Sequence, residues 1–346
     1  MLHKTILVVE RPTHAHLVLE ALRLGDTAVA ILAGGFYPFE FSYPRGLSLR
    51  DFPFVGEPAY KHSPRGEWAW NAGFVLPNGA HRAEKVRVDT QALLRSGAQV
   101  VFAAGPDASG AHAFDTLIAQ TLGGERKPAY KALRLVSLEA RETQCAWAAP
   151  HTTNDTWFTE ALAGGRAKRF FEFNFNVNAL AVFGQVLRGV GVDPQRYPIS
   201  KYSLQLLYWL RAQPDTGLSR SQVLSAMESW RGTGKYSRMH LGSPTSYLRM
   251  LEQLEEAGLV ASRTPAHGAP IVGMTSLGRS FLECVHPDCE DPDLPGRLAQ
   301  WMAAWPTSRP AVERYVWTFF GKQLRFFGRV AAARGASAGS QGSKQG

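Results

Sequence analysis

Cysteine is scarce in this chain, with three in 346 residues. That is too few for a disulfide framework of the secreted kind. Long apolar runs are also missing: none reaches the roughly 18 residues that a membrane-spanning helix needs. The N-terminus passes straight into a strand-like run, without the basic and apolar regions of a signal peptide. These features lead us to expect a reduced, cytoplasmic protein with no membrane partner. Acidic residues are outnumbered, 29 Asp and Glu against 38 Lys and Arg, for a net charge of +9 and a pI near 9.6. A basic excess of this size suits a polyanion, nucleic acid above all, although solubility alone is the plainer reading. Hydrophobic content of 45% and charged content of 19% read as globular. The length allows two or three domains.

What the chain does have is two apolar strands that each end in a carboxylate. Ile6-Leu7-Val8-Val9 leads to Glu10, then Arg11-Pro12; Val100-Val101-Phe102-Ala103-Ala104 leads to Gly105-Pro106-Asp107. Both runs are bounded by turn residues, as buried parallel strands are. Each feeds a helix-like segment, Thr13 to Leu24 and Ala111 to Leu122. Ligands in open α/β sheets bind outside the carboxyl ends of the strands. Glu10 and Asp107 are therefore expected at one rim, where two carboxylates can hold a divalent cation or move protons in phosphoryl chemistry. Asp115 is a candidate third carboxylate, or a residue of the helix surface.

Residues 1 to about 150 read as α/β, with a further strand from Thr27 to Ala33, a helix from Val86 to Ser96 and a last strand from Leu133 to Leu138. Residues 36 to 80 are rich in Pro, Gly and aromatics and show little periodicity. A helical connector follows over 151–199. Its Phe170, Phe171, Phe173 and Phe175 stand behind Arg166, Lys168 and Arg169. These aromatics read as core, or as a stacking platform for unpaired bases. Asn174, Asn176 and Asn178 alternate with apolar residues in a strand-like way.

Residues 200–283 give helix, helix, helix, hairpin, helix. Tyr202 to Leu210 is the first helix. Ser219-Arg220-Ser221-Gln222 is a capping box for the second. Ser243 and Pro244 open the third, which shows Tyr247, Leu248, Leu251 and Leu254 on one face and ends at Gly258. Strands at 259–263 and 271–274 flank a turn at 265–270, and Thr275 to Glu283 closes the block. This is a winged-helix pattern, in which the third helix enters a groove and the hairpin touches backbone. A helical extension covers 284–334, and the Gly/Ser/Gln tail at 335–346 is expected to be disordered.

The residues just quoted resemble the type IA DNA topoisomerases. In that family a toprim strand ends in Val-Glu-Ser-Pro, matched by Val9-Glu10-Arg11-Pro12. Its second acidic motif is Thr-Asp-Pro-Asp-Arg-Glu-Gly-Glu. Gly105-Pro106-Asp107-Ala108-Ser109-Gly110-Ala111 keeps its Pro, second Asp and Gly; Gly105, Ser109 and Ala111 replace three acids. Leu49-Arg50-Asp51-Phe52-Pro53 resembles a Leu-Pro element of the loop-rich insertion between the two motifs. Leu241-Gly242-Ser243-Pro244-Thr245-Ser246-Tyr247, Glu256-Ala257-Gly258-Leu259-Val260 and Met274-Thr275-Ser276-Leu277-Gly278 match three further motifs in order and spacing. An ordinary winged-helix transcription regulator shares part of the last two.

The resemblance implies a toprim-like α/β domain with a Rossmann-like parallel sheet, then a mainly helical region containing a winged helix. It implies DNA as partner, single-stranded in particular, Mg2+ at Glu10 and Asp107, and strand cutting through a tyrosyl phosphodiester without ATP. The family's nucleophile lies in Tyr-x-Arg-Thr-Asp-Ser; the nearest match is Tyr236-Ser237-Arg238, with Tyr202 as the other candidate. Arg238 could hold a phosphate in bidentate fashion. The same loop also reads as a basic segment that touches DNA backbone alone. Candidate DNA contacts are Lys201, Arg220, Lys235, Ser243, Thr245, Tyr247, Arg249 and Arg263. A relative that binds single strands without cutting, serving a plasmid or mobile element, fits the same residues. Cys284, His286, Asp288 and Cys289 suggest zinc by proximity but have no second pair of ligands.

Overall fold

The computed structural model describes residues 4–32, 39–63, 68–75, 81–214, 216–237, 239–264 and 270–342. The chain forms two compact units. One is Met1–Tyr43 with Pro58–Arg169 and Met302–Pro306; the other is Pro44–Glu57 with Phe170–Trp301 and Thr307–Gly346.

The first unit opens with β1 (Thr5–Val9), α1 (Pro12–Leu22) and β2 (Ala28–Leu32). A small hairpin, β3 (Phe39–Phe41) with β4 (Tyr60–His62), comes next, then β5 (Trp68–Val75) and β6 (His81–Arg87). The unit continues through α2 (Thr90–Arg95), β7 (Gln99–Phe102), α3 (Ala108–Leu122), β8 (Lys131–Ala132), α4 (Ala140–Ala148), β9 (His151–Thr152) and the start of α5 (Thr156–Gly189). Its mixed sheet has the order β6-β5-β2-β1-β7-β8-β9. The four central strands are parallel, and β5, β6 and β9 join antiparallel at the sides.

Strand β1 is apolar throughout because both its faces are covered. Ile6 and Val8 share a core with Phe102, Phe114 and Leu117; Leu7 and Val9 share another with Ala15, Val18 and Leu19 of α1. Strand β5 arises where little periodicity was expected, and β6 runs into the start of the expected helix. The expected helix from Val86 is shorter. Val86 still pairs with Ala69, and the helix starts only after Asp89, whose carboxylate accepts from the Ala92 amide. The expected strand Leu133–Leu138 is displaced to Lys131–Ala132. Leu133 and Leu135 are nonetheless buried, and the Leu133 amide donates to the Phe102 carbonyl.

In the second unit the asparagines belong to α5. Asn174 and Asn178 are one turn apart and fully buried, so the strand-like reading is corrected. Asn178 brackets Phe54, accepting from its amide at 2.8 Å and donating to its carbonyl at 2.7 Å; Asn174 does the same for Gly56. Phe170, Phe171, Phe173 and Phe175 are core: Phe171 meets Trp301, and Phe175 meets Phe320. They form no exposed stacking platform.

The remaining elements are α6 (Lys201–Arg211), β10 (Leu218–Ser219), α7 (Arg220–Glu228), α8 (Pro244–Glu256), β11 (Val260–Arg263), β12 (Ile271–Met274), α9 (Ser276–Glu283), α10 (Leu294–Ala303) and α11 (Arg309–Gly342). Capping boxes at Ser219 and Ser243 open α7 and α8. Gly258 follows α8 at φ +72°, a conformation that favours glycine. Tyr247, Met250, Leu251 and Leu254 form the buried face of α8; Leu248 is exposed. The strands form an antiparallel sheet, β10-β12-β11. Residues 265–269 of the expected turn lie outside the described residues. Helix α11 carries its backbone to Gly342. Among the described residues no helix is long and apolar enough to cross a membrane.

Candidate functional site

Strands β1 and β7 are adjacent and parallel, with Val8 level with Phe102. Their extensions therefore deliver Glu10 and the Gly105–Asp107 turn to one rim of the first unit. Asp107 caps α3: one carboxylate oxygen, Oδ1, accepts from the Ser109 and Gly110 amides, both at 2.8 Å. The other oxygen, Oδ2, lies 3.7 Å from where a Cβ on Gly105 would stand, and Glu10 Oε2 lies 3.2 Å from the same point. The two oxygens thus face a common space beside Gly105. Glu10 Oε1 is 3.6 Å from the Arg11 guanidinium. A Cβ at Gly110 would meet the Gly105 carbonyl oxygen at 2.1 Å, so the turn closes only over a glycine there.

One cation and one histidine stand near this rim. Lys168 of α5 donates to the Ser109 hydroxyl at 3.3 Å. His14, one turn into α1, has its pKa lowered by burial, with Glu10 opposing and Arg11 assisting. Asp115 is not a third carboxylate of the rim: it is held between Arg126 at 2.8 Å and Arg166 at 3.1 Å. Among the described residues no three His, Cys, Asp or Glu side chains gather as a metal cage. A magnesium ion that keeps its waters and takes phosphate oxygens needs only one or two carboxylates. Glu10 Oε2 and Asp107 Oδ2 fit that limited role.

The remaining candidates lie in the second unit. Tyr236 is half-buried. Its ring packs on Gly296, where a Cβ would meet it at 2.3 Å, and its hydroxyl donates to Gln300 Oε1 at 3.2 Å. Nothing in the local sequence signalled these α10 partners, which lie some sixty residues away. Arg238 and the side chain of Thr245 lie outside the described residues. Tyr202 has its phenol pushed up by burial and then by Glu172, which makes it a poor nucleophile. Lys201 is taken up by Glu172 at 2.8 Å with both side chains nearly buried. Arg220 is shared by Glu252 and Glu255 at the start of α7. Ser243 is exposed and caps α8, whereas Tyr247 is buried in that helix's core face. Lys235, Arg249 and Arg263 are exposed; Lys235 lies 5.5 Å from the Tyr236 ring centre.

The zinc candidates do not assemble. Cys284 and Cys289 are buried, and burial pushes the Cys289 thiol up to about 12. His286 Nδ1 accepts from the Asp288 amide, and Asp288 is paired with Lys322.

No family model matches the chain, and no curated protein matches it. Among solved structures it is similar to the full-length topoisomerase I of Thermotoga maritima, with a TM-score of 0.34 and 14% identity. That likeness covers 59% of this chain and 29% of the topoisomerase, so the chain spans less than a third of that protein.

Proposed function

We propose that this protein binds DNA, single strands foremost, through the phosphate backbone, on a plan like that of the type IA topoisomerases. In this reading the first unit is toprim-like and α6 to α9 form a winged helix. The observation that carries it is the outer face of α8. Burial of Tyr247, Met250, Leu251 and Leu254 leaves Arg249 in solvent, while Arg263 is exposed at the end of β11. Those are the helix and wing positions from which such domains touch DNA. Glu10 and Asp107 would hold a magnesium ion, whose role is to neutralise charge on phosphate oxygens. Lys168 adds a positive charge at the same rim.

The test is binding of a labelled single strand by the parent protein and by Arg249→Glu and Arg263→Glu. Each variant is expected to weaken binding by a similar factor whatever the base sequence. Unchanged affinity in both removes α8 and β11 from the interface. A footprint on one duplex sequence would favour a transcription regulator instead.

A second reading is strand cutting, favoured by Tyr236. Its hydroxyl donates to a neutral amide, Gln300 Oε1, rather than to a charged group. Attack by the phenol oxygen would form a tyrosyl–phosphate ester and release a strand hydroxyl. One ester replaces another, so no ATP is needed. Denatured mixtures with magnesium and labelled single strands would then carry a covalent adduct that Tyr236→Phe abolishes. No adduct at any tyrosine leaves binding as the function.

A further inference from the structure

Between α6 and the end of α7 lies a pocket of about 440 Å³ whose residues the DNA-binding reading leaves unused. Trp230 forms part of its wall: it is 5% exposed, and its indole N–H is fixed on the Pro292 carbonyl at 2.6 Å. Trp209, half-exposed on α6, meets it with ring centres 6.4 Å apart and planes at 56°. Arg231 stands exposed beside Trp230, with no ion pair among the described residues. Glu290, which also lines the pocket, is paired with Arg211 at 3.2 Å.

We propose that this pocket receives one unstacked nucleobase of a single DNA strand. The claim rests on the DNA-binding reading and names what that reading lacks, a place for a base. The volume falls within the range of small-molecule sites, about 300–1,000 Å³. Indole faces stack bases with little regard to sequence. A duplex offers no free base face, so the pocket selects unpaired strands. Arg231 supplies the cation for the adjoining phosphate, and Lys235 continues positive charge along the same loop. Glu290 can accept from an exocyclic amine, as carboxylates do from cytosine.

The experiment uses the full chain, labelled oligo(dC), and an abasic strand of equal length and charge. Oligo(dC) is expected to quench tryptophan fluorescence and to bind more tightly than the abasic strand. Trp209→Ala should weaken oligo(dC) by about tenfold, the scale of one stacked base, and leave the abasic strand unchanged. Trp209→Phe keeps a ring and should restore most of the loss; circular dichroism checks that each variant is folded. Arg231→Ala should weaken both strands alike. Equal affinity of the parent protein for the two strands overturns the inference and spares the phosphate-binding reading. So does an equal loss on both strands in Trp209→Ala. Failure to bind either strand overturns both.

Discussion

Replacing Gly105 by Asp probes the acidic rim directly. The new Cβ would stand 3.2 Å from Glu10 Oε2 and 3.7 Å from Asp107 Oδ2. The first approach is tight, but its partner is the end of a flexible side chain and can turn aside. Gly105 is not in the left-handed region, so its backbone accepts a side chain. Three carboxylates then share one rim. Like charges about 4 Å apart repel by about 1 kcal/mol in bulk water and about 4 kcal/mol at an effective dielectric of about 20. Asp107 is exposed and the Glu10 side chain is 22% exposed, which favours the lower figure. Without divalent cations we expect Gly105→Asp to lose about 1–2 kcal/mol of stability. Magnesium at about ten times its dissociation constant should return about 1.4 kcal/mol. Thermal unfolding by circular dichroism, in EDTA and in magnesium at matched ionic strength, reads both effects. If the variant gains no more from magnesium than its parent, Glu10 and Asp107 do not face a common cation space.

Gly110→Ala should cost about 2 kcal/mol or more, because its Cβ would meet backbone, the Gly105 carbonyl, at 2.1 Å. Urea unfolding checks this, and a loss within about 0.5 kcal/mol would contradict the close turn. Asn178→Ala strands the amide and carbonyl of Phe54 and should cost about 2–3 kcal/mol in the same assay. A neutral outcome would mean that water replaces both bonds. A maleimide at neutral pH should label Cys145, which is exposed, and spare Cys289, whose raised pKa leaves little thiolate. Peptide mass spectrometry decides between them, and rapid native labelling of Cys289 would refute its burial.

The strands of the rim were legible because β1 and β7 are short apolar runs ending in turn residues, and both faces of the sheet are covered. The caps were legible because their signals are local, a capping box at Ser219 and a serine followed by proline at Ser243. Strands β5 and β6 were not, since their pairing is carried by partners in the sheet rather than by an alternating pattern. Leu133 and Leu135 misled for a physical reason: an extended segment can bury alternate residues without continuing the ladder. Asn174 and Asn178 read equally well at a period of two or four until their partners, the main chain at Phe54 and Gly56, were known. In the candidate site, Glu10 and Asp107 were placed by strand-end logic. The occupation of Lys201 by Glu172, of Asp115 by Arg126 and Arg166, and of Tyr236 by Gln300 depends on contacts between distant parts of the sequence.

The central claim is phosphate recognition, and its most direct measurement is the affinity for a labelled single strand as a function of salt. Binding followed by fluorescence anisotropy should weaken linearly on a logarithmic scale, with a slope of about −0.7 for each phosphate contacted. Arg249→Ala and Arg263→Ala should each reduce the magnitude of that slope by about 0.7. An affinity that ignores salt, or a slope unchanged in both variants, would contradict the account.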